Sequence, residues 1–370
     1  MNQTTSDKQT IVIKVGSTLI APNGRVDRKT CLPAISSYIN QCFEQGIRVV
    51  LVSSGSVAAG KHFFSNETPS AIEKKAMAAT GQSEMIATWD SLLHKPCAQI
   101  LLTQADLQER TRYTNIKSTV NQLLDNGIIP IVNENDAVTS GQFEVGDNDN
   151  LSAMIAACIH ADTLIICTDI DGLYDKNPHT HDDAQLIKEV KTITPEILKM
   201  AGGSNSNVGT GGMITKLQAA QKATEHGIDT IIVNGKKKES FEALFEKVNP
   251  GTFFEAQGKP LQDQTHWLIH TSKAVGELII KEEEDNKIAV NARNLDFRDI
   301  VEVNGEFAAG DTVLIKDVKG KKIAKATSLC SSCLLNFVND HQDENTIMES
   351  ALKQGPIIQK TELAIFAPTL

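Results

Sequence analysis

The sequence lacks the features by which membrane and secreted proteins are recognised. No apolar run approaches the roughly 18 residues that a membrane-spanning helix needs. The N-terminal segment is polar and lacks the basic-then-apolar order of a signal peptide. The chain has seven cysteines, an odd and scattered set that argues against a disulfide framework. These absences predict a protein of the reducing cytoplasm that has no membrane segment.

Metal and nucleic-acid binding are also poorly supported. Cys330-Ser-Ser-Cys333 is the one C-x-x-C, and it has no second pair or nearby histidine cluster to complete a zinc or redox site. We therefore assign no metal-ligating residues. The formal net charge is −10 and the pI is about 5.4, a balance that disfavours broad binding to nucleic acid or membrane surfaces.

What the sequence does contain is enough for two domains. It has 370 residues, of which 41% are hydrophobic, an ordinary share for a protein with a real core. In the first 250 or so residues, short runs rich in Ile and Val alternate with amphipathic stretches. This pattern predicts an α/β fold, a mainly parallel sheet sandwiched by helices, with ligands beyond the carboxyl ends of the strands. The predicted strands are 10–16, 47–54, 98–103, 128–133, 162–169 and 229–234, and the predicted helices are 28–45, 71–94, 113–126, 149–160 and 213–226.

A second, smaller domain is predicted at 273–370. Proline and glycine punctuate residues 250–272, which show no clear period and are interpreted as a linker. The chain beyond them is typical of β structure. Phe297 to Lys316 reads as two strands joined by a turn at Asn304-Gly305.

Two polar segments follow the first two predicted strands. Lys14-Val-Gly-Ser17 ends the first strand, and a lysine there is costly to bury without an anionic partner. Ser53-Ser-Gly-Ser56 ends the second strand and exposes backbone donors where a helix begins. Both segments suit an anion, although Lys14 alone is equally consistent with a strand-end lysine that reaches solvent.

One motif resembles a phosphate-binding P-loop but is not expected to form one. Gly55-Ser-Val-Ala-Ala-Gly60-Lys61-His62 nearly matches the P-loop pattern G-x-x-x-x-G-K-[ST]. His62 stands where a Mg²⁺-binding hydroxyl is required, and Val57-Ala58-Ala59 suits a helix better than a phosphate-wrapping loop. A P-loop NTPase is therefore kept only as an alternative.

Two clusters of carboxylates and amides flank the strand that ends near Val132. They are Asn133-Glu-Asn-Asp136 and Gly146-Asp-Asn-Asp-Asn150. Such residues also form turns and helix caps, and Asp149 or Asn150 would be a sensible cap. Together, however, the clusters offer the acceptors that an α-ammonium group needs, or oxygen ligands for Mg²⁺.

The last two segments are typical of a nucleotide-binding site. Thr168-Asp-Ile-Asp-Gly-Leu-Tyr174 follows a buried strand, and Gly209-Thr-Gly-Gly-Met-Ile-Thr-Lys216 precedes a helix. Glycine backbone N–H groups can wrap a polyphosphate, and Lys216 could reach the phosphoryl group that is transferred. A flexible surface loop is the alternative.

These six segments, taken in order, resemble the amino acid kinase superfamily, and within it the branch that phosphorylates glutamate in proline biosynthesis. The match covers roughly residues 8–258, and the clusters at 133–136 and 146–150 are the most diagnostic. The resemblance implies an amino acid kinase domain at 8–258, with ATP as co-substrate, Mg²⁺, and L-glutamate phosphorylated on its γ-carboxylate.

The resemblance also implies roles for individual residues. Lys14 and Lys216, with Mg²⁺, would offset the charge on the transferring group, and Asp149 would hold both lysines by charge pairing. The remaining roles fall into two sets. The substrate set is Ser54 and Gly55 for the carboxylate, and Asp136 and Asn148 for the α-ammonium end. The ATP set is Lys14, Thr168, Asp169, Thr210, Gly211, Gly212, Met213, Ile214, Thr215 and Lys216.

The segment 273–370 resembles a PUA domain more weakly. PUA domains often bind RNA, but this segment has 12 Lys plus Arg against 16 Asp plus Glu, a net charge of −4, so we do not expect RNA binding. The superfamily resemblance further implies a homodimer or homotetramer and competition by proline in the glutamate site. Because an acyl phosphate is unstable in water, a hand-off to the next enzyme is an open possibility.

Three alternatives remain at this stage. The chain could be a relative acting on aspartate, acetylglutamate or a small phosphate monoester, which would differ in the loops at 133–136 and 146–150. It could be an amino-acid sensor without catalysis, although a sensor need not keep both lysines. The third is the P-loop NTPase described above.

Overall fold

The chain folds into two units, each built around its own sheet. A computed structural model describes residues 8–139, 147–178, 180–202, 212–257, 263–281, 293–341 and 345–366. The first unit comprises Met1–Leu107 and Thr111–Pro260, and the second comprises Gln108–Arg110 and Leu261–Leu370. No helix in these described ranges is both long enough and apolar enough to cross a membrane.

The first unit contains an eight-stranded sheet in the order β3-β4-β2-β1-β5-β7-β8-β6. Neighbouring strands are parallel except for β7 and β8, which are antiparallel. The predicted α/β fold with a mainly parallel sheet is therefore confirmed. The strands are β1 Thr10–Val15, β2 Arg48–Ser53, β3 Cys97–Leu102, β4 Ile129–Glu134, β5 Thr163–Thr168, β6 Glu189–Val190, β7 Asp229–Asn234 and β8 Thr252–Phe254.

Helices lie between these strands, close to where the hydrophobic period indicates them. The short β8 falls inside the segment that the sequence marks as a linker. The described helices of the first unit are α1 Ser17–Ile20, α2 Leu32–Glu44, α3 Ser56–Gly60, α4 Ala71–Leu92, α5 Gln104–Gln108, α6 Arg110–Asp125, α7 Asp147–Cys158, α8 Pro195–Gly202, α9 Met213–Thr224 and α10 Lys238–Phe245.

Both faces of the central strand β1 are buried. Side chains alternate along a strand, so Ile11 and Ile13 share one face, and they lie in one apolar cluster with Ile35 and Ile39 of α2. Val12 and Lys14 point to the other face, and β1 also contacts α7. Lys14 is thereby directed out of the α2 cluster and towards the layer that contains α7.

The parallel register brings the ends of four strands together. Val15 of β1 lies opposite Ser53 of β2 on one side and Cys167 of β5 on the other. In β4, Val132 lies opposite Val52. The polar segments that follow these strands therefore leave the sheet at one edge, as expected for parallel strands.

The second unit contains a five-stranded sheet in the order β10-β9-β11-β12-β13. Its core includes Leu278, Ile315, Ile323, Leu335 and Ile358. Helices α12 and α13 lie in the part for which the sequence indicated little. The elements are α11 Asp263–His266, β9 Gly276–Ile280, β10 Ile300–Asn304, β11 Thr312–Asp317, β12 Lys322–Thr327, α12 Ser332–Asp340, α13 Asn345–Lys353 and β13 Leu363–Ile365.

The two strands expected between Phe297 and Lys316 are present as β10 and β11, but they do not form a hairpin with each other. β10 and β11 do not pair with each other, because β9 lies between them, antiparallel to β10 and parallel to β11. Phe307, in the connection between them, is only 6% exposed and occupies the space beside Gly276 at the start of β9. The connection therefore passes over that strand.

Helices α3 and α4 pack so closely that their backbones nearly touch. A Cβ atom built on Gly81 would lie 2.0 Å from the carbonyl oxygen of Ser56 and 2.4 Å from the backbone nitrogen of Gly60. Both neighbours are backbone atoms, which cannot move aside as a flexible side chain can. The position therefore requires glycine.

We expect Gly81→Ala to destabilise the protein by about 2–3 kcal/mol, because overpacking forces backbone shifts at the α3–α4 crossing. The change in urea midpoint at constant m-value measures the effect. Ser83→Ala on the exposed side of α4 is the control and should change the free energy of unfolding by less than about 0.5 kcal/mol. Equal stability of the two variants would contradict the packing argument.

Candidate active site

Two lysines from distant parts of the chain meet at one carboxylate. Lys14 Nζ lies 2.6 Å from Asp149 Oδ1, and Lys216 Nζ lies 3.2 Å from Asp149 Oδ2. Lys14 comes from β1, Asp149 from the first turns of α7 and Lys216 from the first turn of α9. The lysine side chains are 7% exposed and the Asp149 side chain is fully buried. Asp149 thus bridges the two lysines and does not cap a helix.

The electrostatics of this cluster follow from its burial. Although burial opposes ionisation of Asp149, Lys14 and Lys216 hold its pKa at about 2, below the ordinary value of 3.8. The pKa of Lys216 is lowered, first by burial and also by Lys14, while Asp149 acts in the opposite direction. With all three ionised, the cluster carries one net positive charge, which favours an anionic ligand.

Thr215 links the carboxylate to the start of α9. Its hydroxyl lies 2.8 Å from Asp149 Oδ2 and 2.8 Å from the carbonyl oxygen of Gly212. Gly212 is the N-terminal cap of α9 and supplies no side-chain hydrogen bond to the helix. Unpaired N–H groups at a helix N-terminus favour anions, so the helix adds to the positive potential of the lysines.

The end of β2 is tied to the end of β1, next to this cluster of charges. Ser54 donates its N–H to the carbonyl of Val15 at 3.0 Å, which ties the β2 loop to the β1 end. Gly55 follows with φ +99°, a left-handed conformation that favours glycine, and a Cβ atom there would lie 3.0 Å from Ile20. The chain then enters α3 at Ser56.

Asp136 lies half-buried where the chain leaves β4, beside the start of α3. Its Oδ2 accepts a hydrogen bond of 3.1 Å from the Ser56 hydroxyl. Burial raises the pKa of Asp136 and the bond from Ser56 lowers it, with burial the larger effect. Within the described ranges no lysine or arginine forms an ion pair with Asp136. This carboxylate is suited to a cationic group from outside the protein.

Asn148 joins α7 to the end of β4. Its Nδ2 donates to Asn133 Oδ1 at 3.1 Å, and its Oδ1 accepts from the Glu134 N–H at 3.3 Å. One donor and one acceptor position of the Asn148 amide remain after these two bonds. The amide therefore retains capacity for a ligand.

The predicted nucleotide residues lie at the end of β5 and the start of α9. Thr168 is buried and donates to Asp169 Oδ1 at 3.3 Å, and Lys236 Nζ lies 3.8 Å from Asp169 Oδ2. Met213 and Ile214 are half-buried in the first turn of α9. Thr210 and Gly211, like Gly146, lie outside the described residues.

Three polar residues beside these loops have no role predicted from the sequence. Ser56 belongs to a motif of backbone donors, yet its side chain holds Asp136. Trp89 of α4 donates its Nε1–H to Ser53 at 3.0 Å, directly under the β2 loop. Asn133 holds Asn148. No sequence pattern connects Trp89 to Ser53, because the contact arises only from the packing of α4 on the sheet.

The P-loop alternative is wrong. Residues Ser56–Gly60 form helix α3, and Lys61–Phe63 form a 3₁₀ turn in place of a phosphate-wrapping loop. Lys61 is exposed. A phosphate cradle needs consecutive backbone N–H groups aimed at one point, and in α3 the backbone instead forms helical hydrogen bonds.

The chain is similar to proteins of known activity. The amino acid kinase family matches residues 9–234. Glutamate 5-kinase 1 of Pseudoalteromonas translucida is 49% identical over 356 residues, 96% of this chain and 97% of that protein. Glutamate 5-kinase of Idiomarina loihiensis is 49% identical over 338 residues, 90% and 91% of the two chains. Carbamate kinase from Giardia lamblia is a solved structure with 22% identity and a TM-score of 0.48, covering 68% of this chain and 99% of that one.

We expect Asp149→Asn to destabilise the protein by about 3–5 kcal/mol at pH 7, because two buried ammonium groups would lose their counter-charge. Since the pKa of Asp149 is about 2 in the folded protein and ordinarily 3.8, the carboxylate's contribution is complete above pH 3.8 and is lost as the pH falls towards 2. Urea denaturation at pH 7 measures the loss.

Asp125→Asn provides the matched control for this prediction. Asp125 pairs with Arg48 at 3.5 Å and its side chain is 64% exposed. Its loss should cost less than about 1 kcal/mol. A loss of similar size in both variants would show that Asp149 does not balance buried charge.

Proposed function

This chain belongs to the amino acid kinase family, and on that premise we propose that it transfers the γ-phosphoryl group of ATP to the side-chain carboxylate of L-glutamate. The product is L-glutamyl 5-phosphate, and the reaction is the first step of proline biosynthesis. The observation that carries the proposal is the buried Lys14–Asp149–Lys216 cluster, which retains one net positive charge at the edge where the strands end.

The reaction makes and breaks one bond to phosphorus. An oxygen of the glutamate γ-carboxylate attacks the γ-phosphorus of ATP, the bond to the β–γ bridging oxygen breaks, and ADP leaves. A carboxylate is already ionised at neutral pH, so the attack needs no general base. The barrier comes chiefly from repulsion between anions and from charge on the transferring group, and positioned cations lower both.

In this proposal Lys14 and Lys216 are the catalytic residues. Their ammonium groups contact the transferring phosphoryl group from two sides, and Asp149 is a positioning residue that fixes the distance between them. Asp149 also raises the pKa of Lys216, against the burial that lowers it. The unbalanced positive charge is available to the triphosphate.

The glutamate pocket is proposed to lie between the ends of β2 and β4. Ser54 takes a carboxylate through its hydroxyl and Gly55 through its backbone N–H, because the Ser54 N–H is already bonded to Val15. Asp136 takes the α-ammonium group. Its half-buried position suits this role, because no cation among the described residues forms an ion pair with it. Asn148 supplies its remaining amide donor and acceptor to the same end of the substrate.

The nucleotide is proposed to lie over the start of α9, with Thr168 and Asp169 on its other side. The ATP-binding residues are those assigned from the sequence: Lys14, Thr168, Asp169, Thr210, Gly211, Gly212, Met213, Ile214, Thr215 and Lys216. Among the described residues no group of three His, Cys, Asp or Glu side chains could hold a metal ion. Mg²⁺, which neutralises phosphate charge in such reactions, would accordingly enter with the triphosphate.

Family membership also supports proposals that concern the whole protein. These are a cytoplasmic homodimer or homotetramer, competition by proline in the glutamate pocket, and delivery of the unstable acyl phosphate to the next enzyme. We further propose a kinase domain at 8–258 and a PUA-like domain at 273–370. The net charge of −4 in the latter segment argues against RNA as its partner.

A hydroxylamine trap tests the proposed function. Incubated with ATP, Mg²⁺, glutamate and hydroxylamine, the protein should yield γ-glutamyl hydroxamate, because hydroxylamine captures the acyl phosphate. Aspartate, acetylglutamate and UMP, compared by ADP release, should be turned over far more slowly. Preference for one of these would identify a different member of the family, and ligand binding without any turnover would favour a sensor.

We expect Lys216→Met to lower kcat by about 10²–10³-fold, as does loss of a donor that stabilises charge in the transition state. Lys61→Ala is the matched control, since Lys61 is an exposed lysine in the misleading P-loop motif, and it should leave kcat unchanged. Steady-state ADP release measures both variants. Normal turnover by Lys216→Met would remove the assigned role of that lysine.

A further inference from the structure

A chain of three side-chain amides runs from helix α4 to the proposed glutamate pocket. Gln82 Oε1 accepts from Asn133 Nδ2 at 2.8 Å, and Asn133 Oδ1 accepts from Asn148 Nδ2 at 3.1 Å. Asn148 Oδ1 in turn accepts from the Glu134 N–H at 3.3 Å. Gln82 and Asn133 are 7% and 1% exposed, so solvent does not compete for the bond between them. The amide chain connects a residue with no assigned role to a proposed substrate ligand.

The direction of every amide in the chain is fixed. A backbone N–H can only donate, so Glu134 requires the oxygen of Asn148 on its side. Asn148 must then turn its nitrogen to Asn133, and Asn133 must turn its nitrogen to Gln82. Gln82 can satisfy Asn133 only with its oxygen. The Glu134 N–H therefore sets the direction of the amide chain, and Gln82 supplies the acceptor that completes it at α4.

The position of Gln82 is itself tightly determined. Gln82, Met85 and Trp89 lie at i, i+3 and i+7 and so share the buried face of α4. The Ser53 hydroxyl lies 3.2 Å from Met85 Sδ and accepts from Trp89. The adjacent Gly81 packs on the Ser56 backbone. One face of α4 is thus in contact with the ends of both β2 and β4.

We propose that Gln82 is a positioning residue for glutamate, acting through Asn133 to hold the Asn148 amide in the orientation that binds the substrate. The proposal rests on the proposed function of the same site. Without the Gln82 oxygen, Asn133 can turn over and offer its nitrogen to Asn148, which disrupts the orientation of Asn148. The ATP-binding residues at the end of β5 and on α9 are not part of this amide chain.

Gln82→Met tests the proposal, because methionine nearly matches glutamine in size and removes the hydrogen bonds. We expect the glutamate KM to rise about tenfold, with the ATP KM unchanged and kcat altered less than about threefold. Gln41→Met is the matched control. Gln41 is a half-buried helical glutamine of α2 that bonds Ser37, and this change should alter neither KM. If Gln82→Met is not recovered as folded protein, Gln82→Leu serves for the same measurement.

A double-mutant cycle separates positioning from a general structural role. In an Asn148→Ala background, Gln82→Met should raise the glutamate KM by less than about twofold further, because the residue through which it acts is absent. A tenfold rise in both backgrounds, a parallel rise in the ATP KM, or an unchanged glutamate KM would each overturn the proposal. If the unsubstituted protein forms no γ-glutamyl hydroxamate, the proposed function itself is overturned. This outcome is distinct from failure of the Gln82 proposal, because it is observed before any variant is compared.

Discussion

The bridge from Asp149 to Lys14 and Lys216 is the interaction on which the first unit's site depends. Its three residues come from β1, α7 and α9, so the bridge closes only when the central strand and both helices are in place. Burying these charges is costly, and it is tolerated because each ammonium group meets a carboxylate oxygen. Placing two cations around one anion keeps the lysines apart and leaves one positive charge unbalanced, so the contact on which the fold depends is also the one proposed to act in phosphoryl transfer.

Much of the first unit could be predicted because its signals are local. Strands such as Thr10–Val15 and Thr163–Thr168 are continuous apolar runs, and parallel strands bring the residues after them to one edge. That rule predicted a common location for Lys14, Ser54 and Thr168. The convergence of Lys14 and Lys216 on Asp149 was an implication of resemblance, since periodicity does not determine which residues of two helices face each other.

What could not be predicted depends on contacts between residues far apart in the chain. β10 and β11 both pair with β9, and Phe307 packs beside Gly276 of that strand, whereas the turn at Asn304-Gly305 carries no information about either contact. The support of Ser53 by Trp89 and of Asn133 by Gln82 has the same origin. A helical period of apolar residues shows that α4 has a buried face, but it cannot show what polar atoms that face meets.

The order of strands in the first sheet has a consequence for synthesis on the ribosome. β1 leaves the exit tunnel first, yet it lies between β2 and β5, so one of its edges has no partner until Thr163–Thr168 has emerged. Lys216 follows later still, and until then Asp149 has one ammonium partner in place of two. Non-local pairing of this kind slows folding and leaves a strand edge exposed to aggregation until the partner strand arrives.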